Sequence, residues 1–300
     1  MIYPRILNII NIYYQNKMAL VDLNTVLKPA YEEKYAIGAF NVISGDFLEA
    51  IISAAEKKNT PVILNTAEVH MQYLDIDLIG AAVKELANRT KLDIVWNLDH
   101  GLSFESISRA IRSGFTSVMF DGSHLSFDEN IRQTKEIVKM AHAAGVSVEA
   151  ELGAVGGSEE GDLISIPDQA LYTDKSQAKI FVEETKVDAL AVAIGNSHGK
   201  YKGDPVLDFS RLKDLKKATG IPLVLHGGSG ISKEGFHKSI NLGISKINFF
   251  TGMSQTAMDS LKKELNKESV GYNDFPDMMK KMKEHVQKTV EEQIEIFRNR

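Results

Sequence analysis

Three histidines occupy matching settings in the chain. His100 in NLDHG, His198 in IGNSHG and His226 in LVLHGG each follow an apolar, β-branched run and precede a glycine. Imidazole is the commonest metal ligand among side chains, and three such donors with open positions suit a catalytic divalent ion. The glycine leaves room for an ion or ligand against the backbone. One histidine at a strand end is more often a structural hydrogen-bonding residue; the same setting repeated three times along the chain argues for a metal. The chain has no cysteine, so disulfides and thiolate-bound zinc are excluded and any metal must be held by His, Asp or Glu.

Carboxylates accompany these histidines. Asp99 directly precedes His100, Asp121 follows SVMF, and Glu149 and Glu151 alternate in VEAEL. Asp99 and His100 cannot both face one side of a regular strand, so serving one site requires the strand to end or twist there. Asp99 then either orients a neighbour or exchanges a proton with a substrate hydroxyl, its acidity set by the nearby cation. A different chemistry is suggested by HGGSGIS, residues 226–232, a Gly-rich turn entering a helix. Its N–H groups, with those from Asn248 to Gly252, could cradle a phosphate, although an ordinary glycine turn would read the same way in isolation.

The elements that must position these groups are legible as eight apolar runs. They are residues 36–41, 61–66, 93–101, 117–122, 146–153, 189–199, 222–228 and 246–250, recurring at about 24 to 43 residues with amphipathic segments between. Continuous rather than alternating apolar character suits parallel strands buried on both faces. Helices are expected at 46–58, at 127–144, at 233–241 with Ser232 as N-cap and Gly243 as stop, and at 275–300. The economical reading is a (β/α)8 TIM barrel, with a doubly wound open sheet as the competing fold. In a barrel the chemistry sits at the C-terminal strand ends, where all three histidines fall, and the loops after strands seven and eight hold phosphate.

No linker divides the chain, so one barrel domain is expected over residues 18–300, preceded by a leader or extension at 1–17. The longest loop, residues 154–167, is Gly-rich and acidic, and loops of that length are usually functional. With 43% hydrophobic and 25% charged residues the composition is that of a globular enzyme, and a net charge of −5 argues against a nucleic-acid partner. No run of about 18 apolar residues exists to span a membrane. A cytoplasmic location is expected, and the acidic charge is compatible with a small anionic ligand held by a few local donors.

The stretches NLDHG, SGFTSVMFDGSHLSFDENI, VSVEAELGAVGGSEEG, VDALAVAIGNSHGKY and PLVLHGGSGIS resemble the class II, metal-dependent ketose-bisphosphate aldolases, in particular their tagatose- and fructose-bisphosphate branch. The resemblance runs from about Met18 to the C-terminus. It implies that His100, His198 and His226 hold one catalytic Zn2+ per subunit, with Asp121 and Glu151 bordering the metal or offering it an alternative position. It implies that Asp99 exchanges the proton of the substrate C4 hydroxyl, and that Glu159, or its neighbour Glu160, moves the proton at C3. Asn41, Gly199, Gly227, Gly228, Ser229, Asn248, Phe249, Phe250 and Thr251 fall in segments that hold the substrate and its phosphate, where some members also bind a monovalent cation. Relatives form homodimers or homotetramers. Two departures bear on substrate. Phe249-Phe250-Thr251-Gly252 stands where the family carries a small or acidic pair followed by Thr and an acid, putting a bulky ring beside the expected phosphate. Ala67 stands where relatives often place a hydroxyl.

The implied reaction is retro-aldol cleavage of a ketose 1,6-bisphosphate to dihydroxyacetone phosphate and glyceraldehyde 3-phosphate, with a related phosphorylated ketose or deoxy-sugar acid as alternative substrate. Rivals are a lysine Schiff-base aldolase, a barrel metallohydrolase and a non-catalytic sugar-phosphate binder. The first is disfavoured because no expected strand ends in lysine; Lys246 opens its run at the wrong end.

Overall fold

The computed structural model describes residues 19–156, 163–164, 169–201, 205–266 and 274–300. The expected leader at 1–17 lies outside these residues, as do Glu159 and Glu160.

Eight parallel strands close into a barrel: β1 (Ile37–Asn41), β2 (Val62–Ala67), β3 (Ile94–Gly101), β4 (Ser117–Phe120), β5 (Ser147–Leu152), β6 (Ala189–Val192), β7 (Leu223–Leu225) and β8 (Ile244–Phe249). Strand β1 pairs with both β2 and β8, so the barrel has no free edge and the doubly wound alternative is excluded. Each strand is buried on both faces, as the apolar runs require. Outward residues such as Phe40, Leu64, Trp96 and Phe120 pack beneath the helices, whereas Ile37, Ile63, Val95, Met119, Ala191 and Val224 fill the interior. Trp96 stacks on Phe115 with ring centroids 3.8 Å apart and donates its indole N–H to Thr66 Oγ1 at 3.1 Å.

Helix α1 (Leu23–Glu33) precedes the barrel and stoppers its N-terminal end, with Leu23, Val26, Leu27 and Ala30 joining the interior cluster. The βα units supply α2 (Gly45–Lys58), α3 (Ile76–Arg89), α4 (Phe104–Ser113), α5 (Phe127–Ala143), α6 (Lys175–Thr185), α7 (Phe209–Thr219), α8 (Lys233–Asn241) and α9 (Thr251–Leu265). The expected Ser232 cap is present, its hydroxyl accepting from the Gly235 N–H, and α8 ends at Asn241 just before Gly243 at φ 119°. The closing helix α10 (Asp274–Phe297) covers the seam between the first and last units. Its Phe297 stacks on Phe40 and its carbonyl accepts from the Ala36 N–H at 2.9 Å. Among the described residues no helix is long and apolar enough to cross a membrane.

Two boundaries differ from expectation in ways that matter for the site. Strand β6 ends at Val192, not Gly199, so His198 rides on a loop. Beyond Val192 the Ala193 and Ile194 N–H groups are captured by Thr173 Oγ1 and Asn196 Oδ1, and Gly195 turns the chain at φ 105°. Strand β8 begins at Ile244, two residues earlier than expected, which puts Lys246 inside the barrel instead of at its opening.

The barrel's N-terminal end is locked by Asp188. Its carboxylate accepts from Asn24 Nδ2 at 2.6 Å, His142 Nε2 at 2.8 Å and the Val148 N–H at 2.7 Å, joining α1, α5 and β5. Replacing it leaves the buried Val148 N–H unsatisfied, so Asp188→Ala is expected to lower unfolding stability by about 3 kcal/mol. Urea denaturation measures this; a loss below about 1 kcal/mol would show that solvent replaces the lock.

Candidate metal centre and substrate mouth

The strand ends converge as barrel geometry demands, and His100, His198 and His226 meet at the C-terminal mouth. Their ring centroids lie 4.7 to 5.6 Å apart, and one nitrogen from each falls within 4.8 Å of the others. His100 reaches this point through a local distortion. It takes a left-handed φ of 49°, uncommon for a residue with a side chain, and the β3–β4 register shifts between Leu98 and Gly101. That twist lets consecutive residues, Asp99 and His100, both face the mouth, which a regular strand forbids.

Carboxylates behind the rings fix which nitrogens face inward. His100 Nδ1 lies 2.8 Å from Asp121 Oδ2, whose other oxygen accepts from the Ser123 hydroxyl and N–H. His226 Nε2 lies 2.9 Å from Glu149 Oε1, while Glu149 Oε2 accepts from Lys246 Nζ at 2.7 Å. An ionised carboxylate only accepts, so both histidines donate backwards and turn His100 Nε2 and His226 Nδ1 towards each other. These atoms stand 3.0 Å apart. Two lone pairs at that separation repel unless a cation lies between them. A tetrahedral zinc with bonds of ~2 Å would set its nitrogens about 3.3 Å apart, so this donor set fits a divalent ion with a small relaxation.

The acidities agree with a cation site. Burial alone would lower the His100 pKa, but the charge of Asp99, the Asp121 hydrogen bond and the charges of Glu151 and Asp121 outweigh it and hold the imidazolium up to about 10. For Asp121, burial is outweighed by the His100 hydrogen bond and charge and by Ser123, and its carboxyl is held well below the usual carboxylate range. Burial first, then the charge of His100, keeps His226 well below its ordinary value. Burial, reinforced by Asp121, pushes Glu151 up to about 8. A proton on His100 Nε2 would find its acceptor in His226 Nδ1, 3.0 Å away.

His100, Asp121 and Glu151 form a second cluster with ligand atoms within 4.8 Å, matching the expected alternative position. Glu151 Oε2 is buried with no protein partner among the described residues, while Oε1 accepts from the Val155 N–H at 3.1 Å.

Asp99 is fully buried beside this centre. Asn248 Nδ2 donates to its Oδ1 at 3.0 Å, and its Oδ2 has no protein partner among the described residues. Asn41 is buried at the end of β1, in register with Asn65. On the anion side, Ser229 Oγ accepts from the Gly252 N–H at 3.0 Å, joining the turn after β7 to the start of α9 and leaving its own proton to donate. Gly199 (φ 84°) and Gly227 (φ 64°) are left-handed, and a Cβ on Gly227 would sit 1.9 Å from the Ser197 carbonyl. Gly227 thus lets the two histidine loops touch.

Two sequence expectations need correction. Gly228 does not offer its N–H to a ligand; it donates to the Asn248 carbonyl at 3.0 Å, because the turn packs on the end of β8. Phe249 points into the helical layer against Phe40, so only its backbone can border the mouth. Phe250 sits at the N-cap of α9 without a side-chain cap, and its ring rests on His70 with centroids 4.7 Å apart. Thr251 opens that helix. Lys246 is wholly buried and ion-paired, which removes it as a Schiff-base nucleophile. Sequence reading missed the parts played by Glu149 and Lys246. The signal was available as period-two spacing: Glu149 with Glu151, and Lys246 with Asn248, share inward faces.

The comparisons agree with this geometry. The family model described as class-II fructose-bisphosphate aldolase matches residues 21–300. A probable fructose-bisphosphate aldolase of Bacillus subtilis is 46% identical over 237 residues, 78% of this chain and 82% of that protein. The fructose-bisphosphate aldolase of Geobacillus stearothermophilus is 42% identical over 83% of this chain and 86% of its own. Among solved structures, the YdjI aldolase of Escherichia coli K12 superposes with a TM-score of 0.82 at 35% identity, covering 93% of this chain and 97% of that one.

Because proton and metal compete for His100 Nε2, zinc uptake near pH 7.5 is expected to release about one proton per ion. Below pH ~10 zinc affinity should fall as pH falls, by up to about tenfold per unit. Calorimetric titrations in buffers of different ionisation enthalpy measure the release; identical heats in all of them would show that His100 gives up no proton.

Proposed function

The chain belongs to the class-II fructose-bisphosphate aldolase family, and from that premise we propose that its mouth cleaves and re-forms the C3–C4 bond of a ketose 1,6-bisphosphate, fructose 1,6-bisphosphate foremost. It is an aldolase, a carbon–carbon lyase. The products are dihydroxyacetone phosphate and glyceraldehyde 3-phosphate. The observation that carries the reading is the buried Asp99 carboxylate, held on one oxygen by Asn248 and open on the other, beside three converging imidazoles.

His100, His198 and His226 would hold Zn2+, and Asp121 and Glu149 orient two of those rings from behind. When bound, the ion supplies Lewis-acid stabilisation of the negative charge that develops on the substrate's carbonyl oxygen as C3–C4 breaks. Asp99 Oδ2 takes the C4 hydroxyl proton, and the fixed Oδ1 keeps that oxygen aimed. Glu159 or Glu160, both outside the described residues, returns a proton to C3; both transfers reverse in condensation. The Ser229 hydroxyl and the N-terminal backbone of α9 at Thr251 hold a phosphate, and Gly227 keeps the turn close to the metal loop. Asn41 lines the same mouth at the end of β1. A cytoplasmic homodimer or homotetramer acting on a small phosphorylated sugar completes the reading; the acidic net charge supports the absence of a nucleic-acid partner.

The test is a panel of fructose 1,6-bisphosphate, tagatose 1,6-bisphosphate and ketose 1-phosphates, assayed with chelator and then with restored zinc. Chelation should abolish cleavage and zinc should return it. Asp99→Asn should lower kcat by about a thousandfold with zinc content unchanged. Full activity in that variant, or in chelator, would sink the assignment.

A further inference from the structure

One phenol touches both of the loops that carry metal-site histidines outside the regular strands. Tyr201 lies in a short ribbon in which Lys200–Tyr201 pairs with Leu163–Ile164. Its hydroxyl accepts from the Ser197 N–H at 2.8 Å and donates to the Gly227 carbonyl at 3.0 Å. Ser197 precedes His198 and Gly227 follows His226, so each bond grips the residue next to a histidine. The ring also packs against Gly230 of the anion turn, where a Cβ would stand 3.0 Å from it. Burial pushes the phenol up to about 12, so it remains a neutral donor and acceptor throughout the working range.

The local chain explains why such a bridge is needed. His100 is fixed by strand β3 itself, whereas His198 stands six residues past the end of β6 and His226 just past β7. A loop ligand keeps its place only if its backbone is tied. The His198 N–H bonds to the Gly156 carbonyl at 2.8 Å, which ties that loop to the loop after β5 but not to His226. Asn196 Nδ2 reaches the His226 carbonyl at 3.1 Å, and the Tyr201 hydroxyl adds one further bond between the two loops, to the Gly227 carbonyl, while its bond from the Ser197 N–H folds its own loop back on itself.

We propose that Tyr201 is a positioning residue for the metal centre, setting the separation of His198 and His226 by bridging the residues beside them, Ser197 and Gly227. The inference rests on the three-histidine reading above and adds to it a residue that touches neither metal nor substrate. Because one of the phenol's bonds shapes the His198 loop and the other ties that loop to the His226 turn, they and metal binding reinforce one another.

The decisive variant is Tyr201→Phe in the full chain, which keeps the ring on Gly230 and deletes both bonds. Zinc affinity, read by competition with a chromophoric chelator, should fall by about tenfold or more. The visible spectrum of the cobalt-substituted protein should shift, and activity lost at low zinc should return as zinc is raised. A merely structural tyrosine would instead lower the unfolding temperature and leave zinc affinity and the cobalt spectrum unchanged, and that result overturns the proposal. In the unaltered protein, zinc should slow hydrogen exchange at the Ser197 amide; unchanged exchange overturns it independently of any variant. Failure of the wild-type chain to bind zinc would instead strike the three-histidine reading itself.

Discussion

Two imidazole nitrogens, 3.0 Å apart and both turned inward, form the constraint around which this barrel is organised. Nothing in the pair favours that approach: each ring has a carboxylate behind it that claims its proton-bearing nitrogen, and the lone pairs left over face one another. The arrangement becomes favourable only with a positive charge between them, a proton or a metal ion. The carboxylates around His100 supply that bias towards positive charge: Asp99, Asp121 and Glu151 hold its pKa up to about 10 against the effect of burial. The left-handed φ of His100 belongs to the same account, since backbone strain persists only where surrounding contacts over-determine it.

Holding the constraint requires charge inside the barrel. Lys246 and Glu149 are both fully buried, among Ile63, Val95 and Met119, where an ion pair contributes little to stability compared with apolar packing. Their use is directional: the ammonium occupies one oxygen of Glu149 and leaves the other for His226. Strand β8 does this twice. Lys246 steadies the metal side and Asn248, two residues on and on the same face, steadies Asp99. The interior is thus apolar towards α1 and polar towards the mouth, and the polar layer keeps the reacting groups from rearranging.

The substrate end shows the same economy of backbone. Gly228 and Gly252 direct their N–H groups to Asn248 and Ser229, so the turn after β7 is bound to the end of β8 and the start of α9. The ring of Phe250, expected from the sequence beside an anion, rests against His70. Ala67 is fully buried in register with Asp99 and offers no hydroxyl there. The residues that depart from the family pattern, Ala67 and Phe250, lie away from the cluster of His100, His198 and His226.

The amino-acid order alone marked the eight strands and placed His100, His198 and His226 at their ends, because apolar runs ending in polar-Gly pairs are local patterns, whereas closure into a barrel instead of an open sheet was decided by the β1–β8 pairing. It also determined that β3 must distort if Asp99 and His100 serve one site, since side-chain alternation is a property of the strand itself. Which nitrogen each histidine presents was decided only by the fold. So were the displacement of His198 onto a loop and the use of Lys246 as a buried prop. Those depend on partners distant in the chain: Glu149 and His226 are separated by 77 positions, Glu149 and Lys246 by 97, and Asp99 and Asn248 by 149. Hydrogen bonds of that range are chosen by how the strands close and tilt into a barrel, and no local pattern encodes that distance.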